Sequence, residues 1–351
     1  MNLKIKNHYQ VDTWNNFSLT LKYDSIASSF GFDLYFDPND TDAREMFQVG
    51  HYHIASVEHN GELLVTGFLL NHKFKLTKTK NLSNISGYSK AGVLGDCQIP
   101  TSLYPLESNG LTLLQIAKKL LAPFKISIVV DTAVADKVNS VYEKSTASEG
   151  QTVADYLSSL ASQKDVILSH YPDGSLVFTE AKYDAKPFYH FDGTDPATSI
   201  ELDFNGQGMH SHITLQKQAS TDGGNAGEQT VRNPFVPFVY RPSTKTQNSG
   251  GDNDTGDAVK NALKDELKNI KLTIEVPTWT LNDGEIIKPN RIITVISPEL
   301  YLYKVTRWFI EEVTFSGDEK KQTCKISCVL PEVYSGRTPD YIFQSQFNKG
   351  H

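Results

Sequence analysis

Ten histidines, three cysteines and a surplus of carboxylates are the residues of this 351-residue chain that could do chemistry. Two His-x-His pairs stand out, His51/His53 and His210/His212. On a strand, alternate residues share a face, so each pair could offer two imidazoles to one metal ion in the mouth of a barrel. Neither pair has a glutamate close downstream to supply a third ligand, and histidine is common on half-exposed strands. The acidic stretch at 36–44, FDPNDTDAR, sets out Asp37, Asn39 and Thr41 as a calcium loop begins, but the turn glycine and distal glutamate are missing. No metal, cofactor or catalytic site is therefore expected.

The other catalytic devices fail on spacing. There is no G-x-S-x-G elbow, and Cys97, Cys324 and Cys328 have no neighbouring catalytic signature. Cys324 and Cys328 lie four apart on a predicted strand, about 13 Å along one face, too far to bridge each other, so buried free thiols are expected. Carboxylates such as Asp37, Glu45, Glu311 and Glu312 are plentiful, but Glu311 and Glu312 would face opposite sides of one strand rather than form a hydrolytic pair. GYSKAGVLGD spaces its glycines wrongly for a phosphate loop and lacks the lysine–serine ending. The chain is read as a non-enzyme; the rival of a different class is a metal-dependent or cell-wall-degrading β-barrel enzyme built on the histidine pairs.

Charge narrows the partners. A net charge of −7 disfavours a nucleic-acid reader, which needs a basic stripe to neutralise phosphates. The basic run KFKLTKTK, with Lys73, Lys75, Lys78 and Lys80, reads as a solvated strand end. A surface that lets DNA pass without sticking would also want a neutral or acidic character. No apolar run approaches the roughly 18 to 20 residues that span a bilayer, so no membrane insertion is expected. MNLKIKNHYQ lacks the apolar core of a secretory signal, and synthesis in a cytosol is the simplest expectation.

The elements that must position everything else are strands. Residues 269–331 alternate or are rich in β-branched and aromatic residues, with turn signals at Asn282-Asp283-Gly284 and Ser316-Gly317-Asp318, which predicts four or five consecutive strands in a meander. Residues 14–80 are also strand-like, with Gly50, Asn60-Gly61 and Gly67 as turn or bulge positions. Around residue 100 the period changes: helices are predicted over 111–122 and 152–164, with a strand at KISIVVD and a hairpin across Pro172-Asp173-Gly174. Strands resume at 199. Residues 219–257 read as two flexible excursions around a packed apolar island, FVPFVYR, and a helix capped by Asp257 runs to 270. This predicts a β-rich α+β chain: a β block over 1–100, a small α+β domain over 101–188, a second β block over 189–335 and a C-terminal tail over 336–351.

Four stretches carry a family resemblance: ISGYSKAGVLGDCQIP; LTLLQIAKKLLAPFKISIVVD; TVADYLSSLASQKDVILSHYPDGSLVFTEA; and IIKPNRIITVISPELYL followed by FIEEVTFSGDEKKQTCKISCVLPEVY. In this order the chain resembles the baseplate hub proteins of contractile-tailed phages, the Mu-like tail protein group structurally related to the central hub protein of T4-like phages. Pro277-Thr278-Trp279 stands where that family commonly shows a glycine–tryptophan pair. The resemblance implies a homotrimer whose chains each contribute two similar tube-type β-barrel domains flanking the α+β unit. Such a ring would adapt a six-fold tail tube to a three-fold spike. It further implies tail spike, tail tube and baseplate wedge proteins as partners, and residence in the virion baseplate after assembly in the bacterial host cytoplasm. The hub of a phage-derived contractile injection system is the variant reading.

Overall fold

Alternating burial is the signature of these strands: residues 16–22 follow the pattern exposed, buried, exposed, buried, with Phe17, Leu19 and Leu21 inward. The computed structural model describes every residue except 7, 8, 12, 79, 80, 105, 106, 194, 195, 218–227, 248–254, 319 and 344–351. It divides into one unit of Met1–Glu180 with Glu312–Cys324 and another of Ala181–Glu311 with Lys325–His351.

The first unit opens with strands β1 (Asn2–Ile5), β2 (Tyr9–Val11), β3 (Asn16–Lys22) and β4 (Ser29–Tyr35), then helix α1 (Thr41–Met46), and strands β5 (Ile54–His59), β6 (Glu62–Leu76) and β7 (Asn81–Ser89). They form an antiparallel ladder in the order β2-β1-β5-β6-β7-β4-β3, and β3 pairs in turn with Glu312–Asp318 of a late strand. Asn60 and Gly61 both have positive φ, 49° and 82°, which is the type I′ geometry the Asn-Gly pair predicts. Gly67, in contrast, is not a turn residue. It lies inside β6, where a Cβ would stand 1.8 Å from the Tyr88 carbonyl oxygen. Gly87 on β7 meets the Phe68 carbonyl oxygen at the same 1.8 Å, so two glycines let β6 and β7 approach where their register shifts.

Next come α2 (Val93–Asp96), α3 (Leu113–Leu121), strand β8 (Ile128–Val130), α4 (Ala135–Asn139), α5 (Val153–Gln163), and strands β9 (Ile167–His170) and β10 (Leu176–Thr179). Thr112 and Gln115 close a capping box on α3, and Thr152 caps α5. The apolar spacing read from the sequence buries Leu113, Ile116, Leu120, Val153, Leu157 and Leu160 against β8-β10-β9, in which β8 runs parallel to β10. At about 1.5–3 kcal/mol per buried Leu or Val, this cluster sustains its own core. It is fastened to the first ladder by the Ser169 hydroxyl, which donates to the Tyr23 carbonyl, and by His170 Nδ1 against Ser25 O at 2.9 Å.

The second unit contains β11 (Pro187–Phe191), β12 (Ser199–Phe204), β13 (His212–Lys217), β14 (Glu228–Arg232), β15 (Pro242–Gln247), helix α6 (Thr255–Leu267), β16 (Ile270–Val276), the short pair β17 (Thr280–Leu281) and β18 (Glu285–Ile286), β19 (Ile292–Ser297), and the long β20 (Leu302–Asp318) and β21 (Gln322–Val329) as far as their residues belong here, then α7 (Glu332–Ser335). Its ladder runs β12-β16-β21-β20-β19-β11. The expected meander therefore holds only for β19-β20-β21: β16 pairs with β12 and β21, not with its successor. The reason is burial, since Ile270, Leu272, Ile274 and Val276 are fully covered only in the middle of a sheet. Ser316 and Gly317, expected at the turn, still pair with β3, and beyond them the Asp318 N–H donates to the Lys321 carbonyl at 3.0 Å.

Two further expectations are corrected. Residues 228–232 and 242–247, read as parts of flexible excursions, are β14 and β15 on either side of β13, under α6. The rest of those excursions, 218–227 and 248–254, lies outside the described residues. Asp257 is inside α6, which begins at Thr255 and ends at Leu267. The strand content bears out a β-rich α+β class, but the ladders end in open edges and no barrel closes among the described residues.

Candidate interaction surfaces

The histidine pairs do not converge on shared ligand sites. His53 is buried, its Nε2 is 3.1 Å from the Glu45 carbonyl oxygen, and burial lowers its pKa. His51 is exposed and meets it edge to face, with ring centroids 5.4 Å apart. His210 binds Glu266 through both its backbone N–H and Nδ1, each at 2.8 Å, whereas His212 turns to the Ser211 hydroxyl and the Tyr240 ring. Among the described residues, no group of three or more His, Cys, Asp or Glu side chains is arranged to hold a metal ion.

The other chemistry-bearing residues are absorbed by structure. Asp37 accepts the Asn39 N–H, and Asp40 caps α1 by accepting the Asp42 N–H, so the acidic stretch is a turn and a helix start. Cys324 and Cys328 are buried free thiols whose pKa values burial raises, and Cys97 is half-buried. Glu311 accepts the Tyr334 hydroxyl at 2.7 Å and Glu312 pairs with Lys22 at 3.1 Å, on opposite faces of β20 as predicted.

Two polar nodes had no signal in the sequence. Glu266 on α6 is 6% exposed and takes His210 and the Asn233 amide, tying the helix to the edge of the β14-β13-β15 ladder. Asp131 accepts the Tyr171 hydroxyl at 2.6 Å and the Thr179 hydroxyl, pinning the end of β8 to β9 and β10. Both are ordinary acidic residues in the text. Only the fold shows that they are surrounded by donors.

Two kinds of exposed feature stand out, apolar side chains and open strand edges. The island FVPFVYR splits: Phe235 is buried against Tyr341 and Phe343, while Phe238 is 92% exposed and Val239 and Tyr240 also stand free of the core. In the first unit β6 outruns β5. Pairing with β5 ends at Phe68, the Leu69 N–H reaches His53 O, and among the described residues the strand partner of 70–76 is β7 alone. This arm alternates: His72, Phe74 and Leu76 on one face, Lys73 and Lys75 on the other, with Leu76 84% exposed. Lys80 of the basic run lies outside the described residues. In the second unit β12 pairs, among the described residues, only with β16, and it too alternates, Ile200, Leu202 and Phe204 against Glu201 and Asp203.

Comparison with known proteins accords with a structure built of faces and edges. Residues 91–180 match the family described as baseplate hub protein gp44-like, second domain. The chain is 23% identical to the baseplate hub protein gp44 of Escherichia phage Mu over 317 residues, 86% of this chain and 80% of that protein. Its fold is similar to that of the 43 kDa tail protein of prophage MuSo2 from Shewanella oneidensis, with a TM-score of 0.80, 20% identity, and 95% and 99% of the two chains covered. It is also similar in fold to the E. coli c3393 protein, a type VI secretion system component, at a TM-score of 0.58 and 11% identity over 97% of this chain and 80% of that one. Residues 91–180 are thus similar to the second domain of gp44-like baseplate hub proteins, in a chain similar over most of its length to the hub protein of phage Mu.

Proposed function

We propose that the chain is the structural hub of a contractile phage tail baseplate, assembled as a trimeric ring that adapts a six-fold tail tube to a three-fold spike. The observation that carries this reading is the gp44-like match over residues 91–180 inside a chain alignable with Mu gp44 over 86% of its length. In this reading residues 1–100 and 189–335 are the two tube-like β-barrel domains, 101–188 decorate the ring, and residues 336–351 form a tail. The barrels are completed by neighbours, because among the described residues β2, β11 and β12 end their ladders as open edges, which a stable protein must cover. Spike below, tube above and wedge proteins around it are the partners, and DNA passes through the channel without sequence recognition. The hub works as a geometric adaptor in the virion rather than as an enzyme.

Electron microscopy of the purified protein, alone and with its cognate spike, tests this. The expected particle is a three-fold ring with a central channel. A strict monomer at high concentration that also fails to bind the spike refutes it. The likeness in fold to a type VI secretion component favours a second reading, the hub of a phage-derived injection machine, which shares the ring and differs in cargo.

A further inference from the structure

We infer that successive copies of this chain join strand to strand, the free edge of β6 at residues 70–76 in one copy adding antiparallel to the free edge of β12 in the next. The inference rests on the trimeric reading and supplies the contact that makes the ring.

Three features of the two edges carry it. First, both are long enough to dock: β12 is a regular strand of 6 residues, and the β6 arm offers residues 70–76, about 23 Å of backbone at 3.3 Å per residue. Second, each hides an incomplete apolar face. Ile270, Leu272 and Ile274 of β16 are fully buried, yet the residues paired with them on β12, Phe204, Leu202 and Ile200, are exposed or only half-covered. On the arm, Phe74 is 45% exposed although Phe36 touches one side of it. Third, the charges are complementary and equally spaced. Lys73 and Lys75 alternate with the apolar residues of β6 just as Glu201 and Asp203 alternate with those of β12. None of the four has a side-chain partner among the described residues; the nearest cross-strand neighbours in register are Asn84 and Leu82 for the lysines, and Lys271 and Thr273 for the acids.

One antiparallel register satisfies all of this together. With Leu202 opposite Phe74, Ile200 meets Leu76, Phe204 meets His72, Glu201 meets Lys75 and Asp203 meets Lys73. A slip by one residue in either direction would set Leu202 and one of its apolar neighbours on β12 against Lys73 and Lys75. Lysines on a sheet edge commonly protect it from indiscriminate pairing, and here they do so while admitting an acidic complement. The contact is heterologous, one edge against a different edge, so repeating it generates a closed ring if the rotation closes. Two β6 arms, or two β12 strands, would instead oppose like charges.

Sedimentation equilibrium and native mass spectrometry of the full chain test the pairing, with the circular-dichroism melt of each variant as the check on folding. K73E/K75E and E201K/D203K should each raise the dissociation constant of the assembly about tenfold or more, as two attractive cross-strand pairs become repulsive. Combining all four substitutions should restore it to within a few-fold of the wild type. Oxidised I200C/L76C should give inter-chain disulfides, while I200C/H72C, the parallel alternative, should not. A trimer unmoved by either reversal, or reversals not rescued in combination, overturns this inference and leaves the hub reading standing. A wild-type chain that stays monomeric at every concentration and with spike overturns both.

Discussion

Gly67→Ala is expected to be among the most damaging single-methyl additions in the first unit. A Cβ at residue 67 would lie 1.8 Å from the Tyr88 carbonyl oxygen and 2.5 Å from its carbonyl carbon, where contacts under 3.0 Å force something to shift. The obstacle is backbone, so no rotamer change relieves it. Restoring an ordinary contact of 3.4 Å requires β6 and β7 to part by about 1.6 Å, the difference between those two distances. Strands normally sit 4.7–4.9 Å apart, so a shift of that size breaks the flanking ladder bonds. Overpacking at about 1–3 kcal/mol, plus one or two net hydrogen bonds at about 1 kcal/mol each, gives a loss of about 2–5 kcal/mol. Urea unfolding followed by circular dichroism measures this directly, and the accompanying drop in Tm should be roughly 5–15 °C. Gly95→Ala is the internal control: nothing lies within 4 Å of its Cβ and it sits inside α2, so it should be neutral or gain up to about 1 kcal/mol. If Gly67→Ala stays within about 1 kcal/mol of the wild type, the close approach of the two strands is not a real constraint.

Glu266→Ala removes the acceptor of His210 and Asn233 inside the second unit and should cost about 2–4 kcal/mol, seen as a lower urea midpoint; an unchanged midpoint rejects the node. Thr112→Ala breaks the capping box of α3 and should cost about 1 kcal/mol, with Thr112→Ser recovering most of it. Burial lowers the pKa of His53, His59, His72 and His170 below 6.5, so the folded chain binds fewer protons than the unfolded one. Their contribution is complete above the unfolded value and is lost as pH falls through the folded values. Glu332, raised by burial, works in the opposite sense at lower pH. Urea midpoints should therefore fall between pH 7.5 and pH 5.5, and His170→Gln should flatten the slope; equal slopes in both proteins contradict the burial argument.

The sequence by itself determined the elements whose cause is local. Asn60-Gly61 makes its turn because both residues tolerate positive φ. Leu113 to Leu121 makes its helix because apolar spacing and a Thr–Gln cap act within a few residues. The opposite faces of Glu311 and Glu312 follow from strand geometry alone. Pairing over long separations was decided only by the tertiary structure. β16 lies between β12 and β21 because its inward residues need cover on both sides, and nothing in its own text says which strands provide it. Gly67 reads as a turn or bulge position and proves to be a close approach, because the Tyr88 carbonyl that excludes a side chain is 21 positions away in sequence. Glu266 is an ordinary helix glutamate until the fold places His210 and Asn233 beside it. Likewise KFKL read as a solvated strand end; that its edge is open while β12 offers acids at the same spacing is visible only once β5 is seen to stop short of it.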